Sequence, residues 1–203
     1  GVDIAWYAIP AGSPLAGSNQ LVTRSFDISV ALPLLLLTGW MFPIIAWLIK
    51  REDGGPVFFS QLRTGMDGRS FRLHKFRSMH VDASSSDQPQ WTRANDPRIT
   101  RVGAWLRRFN LDELPQLINV LAGDMSLVGP RPEQPEYVER FRARYPEYNT
   151  RHLVRSGITG WAQVNGRNAL TWEDKFILDV WYVDHWTFWL DIKILFMTVW
   201  KVI

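Results

Sequence analysis

From Ile28 to Ile49 the chain runs ISVALPLLLLTGWMFPIIAWLI, 22 residues without a charged side chain. As one straight helix this segment would extend roughly 33 Å at about 1.5 Å per residue, enough to cross a hydrocarbon layer about 30 Å thick. Such a run belongs in a bilayer or at the centre of a core, and its length and lack of polar groups favour the bilayer. Arg24 precedes it and Lys50 and Arg51 follow it, so both ends carry the basic residues that mark a cytoplasmic flank. Pro33 and Pro43 each remove a backbone donor, and Gly39 weakens the helix between them. A helix that dips in, breaks and returns to the same face satisfies both the flanks and the prolines. A proline-kinked span is the alternative. No small-residue cleavage site follows Ile49, which argues against a secretory signal.

The remainder is long enough for one domain. Residues 1–20 are rich in Ala, Gly, Ser and Pro and show no period, so residues 1–23 are expected to be a tail, 24–51 the membrane helix, and 52–203 a cytosolic, membrane-associated catalytic domain. The fold class expected is mainly α with a small β-hairpin: a re-entrant membrane helix, a compact helical catalytic domain, and interfacial amphipathic helices. The absence of cysteine excludes disulfides, thiolate catalysis and Cys-ligated metals. A net charge of +3 is too modest for a dedicated nucleic-acid binder, and no motif of that class is present. It suits anionic lipid headgroups or a phosphorylated substrate instead. The 11 tryptophans fit a protein that works at a membrane surface.

Short apolar runs around Gly54-Gly55-Pro56 and Thr64–Gly68 predict a hairpin from Val57–Phe59 and Ser70–Met79. Residues 82–97 read as an irregular surface loop. Helical spacing is present over 99–109, 112–121, 136–145, 171–183 and 188–202, with Gly123 as a C-cap. The last two helices hold Trp172, Trp181, Trp186, Trp189 and Trp200, which suits either core or the headgroup layer.

The chemistry concentrates between Arg98 and Glu133. Adjacent carboxylates Asp112 and Glu113 lie between Arg101, Arg107 and Arg108 and the Arg131 of a Gly-Pro-Arg-Pro turn. Arginine's planar fork suits phosphate oxygens, and a carboxylate among arginines is expected to keep a low pKa. Pro115 fits the first turn of a helix, which makes Asp112 a candidate N-cap. The same placement also suits a nucleophile or metal ligand, since an aspartate can form an acyl phosphate. Spacing alone leaves both readings open. Consecutive residues project about 100° apart, so the two carboxylates cannot share one proton as a stacked dyad and would have different tasks. Arg107 and Arg108 are likewise consecutive, so at most one faces the site. Arg131 is either a phosphate clamp on a stiff backbone or an ordinary turn arginine.

The set of motifs resembles the bacterial monotopic phosphoglycosyl transferases, also called bacterial sugar transferases. The residues that carry the resemblance are Phe58-Phe59 to Gln61, Lys75-Phe76-Arg77-Ser78-Met79, Asp96-Pro97-Arg98-Ile99-Thr100, Leu111–Gln116, Gly123-Asp124-Met125-Ser126, Val128–Pro132 and Gly157–Asn168. It covers the chain from about Arg24 to the C-terminus. It implies transfer of a sugar 1-phosphate from a UDP-sugar to polyprenol (undecaprenyl) phosphate with release of UMP, at the cytoplasmic face of the bacterial inner membrane. It implies Asp112 as the nucleophile that becomes a phosphosugar adduct, Glu113 as its partner, and Mg²⁺ beside Asp112. Lys75, Arg77, Arg107 and Arg131 would then bind phosphate or substrate, with Gln163, Asn165 and Arg167 of the 157–168 loop holding the nucleotide sugar. The family's membrane helix breaks at a Ser-Pro pair. Here the nearest pair is Phe42-Pro43, and the break is assigned to Pro43. The implied partners are UDP-sugar, polyprenol phosphate and a phospholipid membrane, with no nucleic acid and with a homodimer left open. Two rivals stand beside this reading: a membrane glycosyltransferase releasing UDP, and a membrane-bound scaffold without catalysis.

Overall fold

The uncharged segment folds as two helices, α1 (Gly17–Gly39) and α2 (Met41–Asp53), separated at Trp40. The computed structural model describes residues 17–81, 96–166 and 169–202. Pro43 lies in the first turn of α2 rather than at the interruption. Its nitrogen cannot pair with the carbonyl four residues back, and its ring crowds that carbonyl. The position four back is Gly39, so the break assigned to Pro43 falls one turn earlier, at Gly39–Trp40. Gly54 closes α2 in the left-handed conformation, φ 71°, returning its N–H to Lys50 O at 2.9 Å.

The helical start at Gly17 corrects the tail assigned to residues 1–23; residues 1–16 lie outside the described residues. The residues from Gly17 to Thr23 lack a hydrophobic period, and the helix docks on the domain beyond them, through Arg24 and Asp27. Among the described residues, Asn19–Gly39 is the one helix long and apolar enough to cross a membrane, with mean hydropathy 1.5 and only 11% of its most apolar stretch buried. That low burial does not fit a helix at the centre of the described core.

The predicted hairpin is present as β1 (Phe58–Thr64) and β2 (Ser70–Phe76), antiparallel with Phe59 opposite Lys75 and Thr64 opposite Ser70. The helix spacing over 99–109 becomes α3 (Arg101–Arg108). The helix expected over 112–121 is divided: Leu111–Glu113 form a 3-10 turn, and α4 is Gln116–Ala122, ending at Gly123 with φ 95°. A second sheet was not expected. Here β3 (Met125–Val128) pairs in parallel with β4 (Ser156–Thr159), Met125 against Ser156 and Val128 against Thr159. Between them run α5 (Pro135–Arg144) and a 3-10 stretch, Pro146–Leu153. The chain closes with α6 (Trp161–Asn165), α7 (Trp172–Asp184) and α8 (Phe188–Val202). The molecule is mostly helical with a small antiparallel sheet, as expected, plus the parallel pair.

Three apolar clusters hold these elements together. Ala31 of α1 packs with Leu117 and Val120 of α4, Met125 and Val128 of β3, Tyr182 and Val183 of α7 and Ile194 of α8. Ile45 and Ile49 of α2 pack on Phe76 of β2 and Leu106 of α3. Val138, Tyr148 and Phe176 join α5, the 3-10 stretch and α7. The two apolar helices thus rest on the domain by one face each. Their other face carries exposed Leu36, Leu37, Trp40, Ile44 and Trp47, and α8 exposes Trp189, Phe196 and Trp200. Trp186 turns inward and donates its indole N–H to Asp191 at 2.9 Å.

Candidate active site

Asp112 is reached through two local constraints. At Asn110 the backbone turns left-handed, φ 54°, a conformation asparagine tolerates better than most residues, and this ends α3 and starts the Leu111–Glu113 turn. Pro115 then precedes Gln116 and starts α4 without a side-chain cap. Asp112 is therefore inside a 3-10 turn and caps no helix, which removes the capping reading. Its side chain is buried, and among the described residues no hydrogen bond reaches its carboxylate.

Glu113, next in the chain, is saturated instead. Lys75 Nζ of β2 donates to Glu113 Oε1 at 2.7 Å, and Arg131 Nη2 donates to the same oxygen at 2.5 Å. The site thus gathers Lys75, Asp112, Glu113 and Arg131 from three parts of the chain. Arg107 completes it from the end of α3. Its Nε donates to Ser78 Oγ at 2.8 Å, and its charge acts on Asp112. Arg108 is exposed and lies over the Phe109 ring, so one of the two consecutive arginines faces the site, as the geometry of adjacent residues requires.

These positions depend on residues that the motif reading did not single out. Asn119 of α4 accepts the His74 N–H at 3.0 Å and donates to Arg72 O at 2.7 Å, bolting α4 across β2 beside Lys75. Its sequence signal is weak: a poor helix former in the middle of a short helix. Arg151 donates to the backbone oxygen of Arg131 at 2.7 Å and to Asp179 Oδ2 at 2.8 Å, buried on every side. On the other side, Arg63 donates to Pro132 O at 3.1 Å. The Pro130–Glu133 turn is thereby fixed from both flanks. Gly129 is required for a third contact, because a Cβ there would lie 2.3 Å from Arg155 O. Gly157 is the matching case, with Gly129 N 2.1 Å from where its Cβ would be. The glycines of two separate motifs exist to let these backbones meet.

The electrostatics divide the carboxylates. Burial raises the Asp112 pKa above its ordinary 3.8, with Lys75 the main opposing influence and Glu113 adding to the rise. Burial also acts on Glu113, but Arg131 and Lys75 override it and hold its carboxyl well below the usual range. The low pKa expected of a carboxylate among arginines is thus found on Glu113, and Asp112 corrects that expectation. Burial lowers the Lys75 pKa, partly offset by Glu113.

The other expected site residues are placed differently. Arg77 points away from the cluster: its guanidinium pairs with Asp53 and donates to Pro56 O at 2.6 Å, fastening the end of α2 to β2. Asn165 donates to Trp161 O of its own helix at 2.8 Å. Among the described residues Gln163 has both amide atoms buried without partners, and Arg167 lies outside those residues.

Among the described residues, then, a buried carboxylate that accepts no hydrogen bond lies within the fields of Lys75, Arg107 and Arg131. The chain belongs to the bacterial sugar transferase family, whose model matches residues 18–203. It is 46% identical over 194 residues to the UDP-glucose:undecaprenyl-phosphate glucose-1-phosphate transferase of Escherichia coli K12, covering 93% of this chain and 42% of that protein. It is 45% identical over 194 residues to the undecaprenyl-phosphate glucose phosphotransferase of Komagataeibacter xylinus, covering 92% of this chain and 36% of that one. With the uncharacterized sugar transferase EpsL of Bacillus subtilis 168 it shares 45% identity over 184 residues, 91% of this chain and 88% of the relative. The chain thus spans about two fifths of two relatives and most of the third.

Proposed function

We propose that this chain transfers a sugar 1-phosphate from a UDP-sugar to undecaprenyl phosphate, with Asp112 as the nucleophile. The observation that carries the reading is the division of labour at the adjacent carboxylates: Glu113 absorbs Lys75 and Arg131, and Asp112 is left buried and, among the described residues, unbonded. A desolvated carboxylate is a stronger nucleophile than a hydrated one, and the fixed cations oppose the charge that builds on phosphate oxygens.

In the first half-reaction an Asp112 oxygen attacks the β-phosphorus, and the bond from that phosphorus to the bridging oxygen breaks with its electrons leaving on UMP. The product is an acyl phosphate carrying the sugar. In the second, a phosphate oxygen of undecaprenyl phosphate attacks the same phosphorus, the acyl-phosphate P–O bond breaks, and the Asp112 carboxylate returns. Arg131, partly exposed, and Arg107 bind the diphosphate oxygens, and Lys75 holds Glu113 in place. Gly160 abuts Gly129 beside the Arg131 turn, so residues 157–166 border the site, and the Gln163 amide, unpartnered among the described residues, is assigned to the nucleotide sugar.

Magnesium suits this donor set. Mg²⁺ commonly takes one or two carboxylates and completes its shell with substrate phosphates and water. Asp112 is the carboxylate available, since Glu113 is occupied, and among the described residues no group of three or more metal-ligating side chains is gathered. Bound there, the ion would neutralise diphosphate charge.

The broken helix pair is assigned to a re-entrant anchor in the inner membrane, with the domain on the cytoplasmic face. Exposed Leu36, Leu37, Trp40, Ile44 and Trp47 support this, and the Trp189–Phe196–Trp200 face of α8 supports an interfacial placement. The nucleotide released in the presence of both substrates tests the reading: UMP is expected, and UDP would establish the glycosyltransferase rival.

A further inference from the structure

The charged residues at the feet of the apolar helix pair are bonded to the elements that carry the site. On α1, Arg24 donates to Val120 O and, at 2.6 Å, to Leu121 O, the terminal carbonyls of α4. Three residues on, Asp27 is 1% exposed, and its Oδ1 accepts Ser126 Oγ and Leu127 N of β3, each at 2.9 Å. On α2, Glu52 accepts the Arg101 and Val102 N–H groups at 2.7 and 3.1 Å, sealing the N-terminus of α3, and Asp53 holds Arg77 just beyond β2. Each latch therefore grips an element next to a site residue: α4 follows Asp112 and Glu113, β3 leads to Arg131, α3 ends at Arg107 and β2 contains Lys75. All four latches lie where the uncharged stretch gives way to charge, one pair on each side of it.

We infer that Arg24, Asp27, Glu52 and Asp53 are positioning residues for the lipid acceptor, fixing the height of Asp112 above the bilayer. The inference rests on the proposed function. The nucleotide sugar arrives from water and meets the site at any height. The acceptor's phosphate is held at the headgroup layer by its tail, so its reach to Asp112 depends on how deep the helix pair sits relative to the domain. Arg24 acts at the far end of α4, whose seven residues put roughly 10 Å between that latch and the nucleophile's turn. A loosened latch would lower the effective concentration of acceptor at Asp112 without changing the groups that bind the nucleotide.

The test uses the full chain in lipid nanodiscs, with Arg24→Ala and Glu52→Ala made separately, so that a folding failure in one leaves the other. Two quantities are measured: the single-turnover rate of adduct formation from UDP-sugar alone, and kcat/KM for undecaprenyl phosphate. The expected result is adduct formation within about twofold of the parent and acceptor kcat/KM down at least tenfold, mostly through KM. A short-chain, water-soluble prenyl phosphate should restore parity between variant and parent. Equal losses in both half-reactions, or no loss in either, would overturn the inference. Failure of the parent to form an adduct would instead count against the proposed function.

Discussion

Glu113 takes two salt bridges, from Lys75 and Arg131, while its neighbour Asp112 has no hydrogen bond among the described residues. Lys75 at 2.7 Å and Arg131 at 2.5 Å converge on one Glu113 oxygen, so the cations stay close to Asp112 while their bonds are made elsewhere. A single glutamate thus keeps Asp112, the proposed nucleophile, close to positive charge and, among the described residues, without a hydrogen bond.

Glu113→Gln should release Lys75 and Arg131 to bond Asp112 directly. The nucleophile would become better solvated by cations and less reactive, with turnover falling on the order of a hundredfold, about 2.7 kcal/mol in the barrier. Steady-state kinetics on folded protein checks this; a variant within threefold of the parent would contradict it.

The acid side of the rate profile should report Asp112 with a pKa above 3.8, because burial disfavours its charge. Glu113→Gln removes a neighbouring negative charge and frees two cations, so the same limb should move to lower pH. A rate–pH series on parent and variant measures both.

Stability should carry the opposite signature of Glu113. Its folded pKa is depressed, so its contribution is fully present above the unfolded value near 4.5 and is lost as pH falls toward the folded one. Parent and Glu113→Gln should therefore differ most in thermal midpoint at neutral pH and converge below about pH 4.5. A gap that widened on acidification would contradict the sign.

Arg77→Ala should act on stability and leave nucleotide binding alone. It strips the exposed Asp53 of its partner and should cost on the order of 1 kcal/mol, as losing a surface ion pair does. Arg131→Lys should do the reverse, raising KM for the UDP-sugar about tenfold with little change in melting, since lysine lacks the planar fork. Interchanged results would restore Arg77 to the site.

Much of this was legible in the chain because local rules decided it. The hairpin, the α7 and α8 spacing and the Gly123 terminus follow from periodicity and turn chemistry. The parallel β3–β4 pair was not legible, because its strands are four residues each and are joined by a long excursion through α5. The start of α1 was hidden because Gly17–Thr23 carries no apolar stripe to mark it as helix. At the site, the residue types were readable, but which cation met which carboxylate was not. That depends on Asn119 and Arg151, which act across tens of residues of sequence.

The most direct test of the account is intact mass measurement of the membrane-bound chain after exposure to UDP-sugar with no lipid acceptor. The account predicts a mass gain of one sugar 1-phosphate less water in the parent, with UMP released, and no gain in folded Asp112→Asn. A parent that releases nucleotide only when acceptor is present, or an adduct that persists in Asp112→Asn, would contradict it.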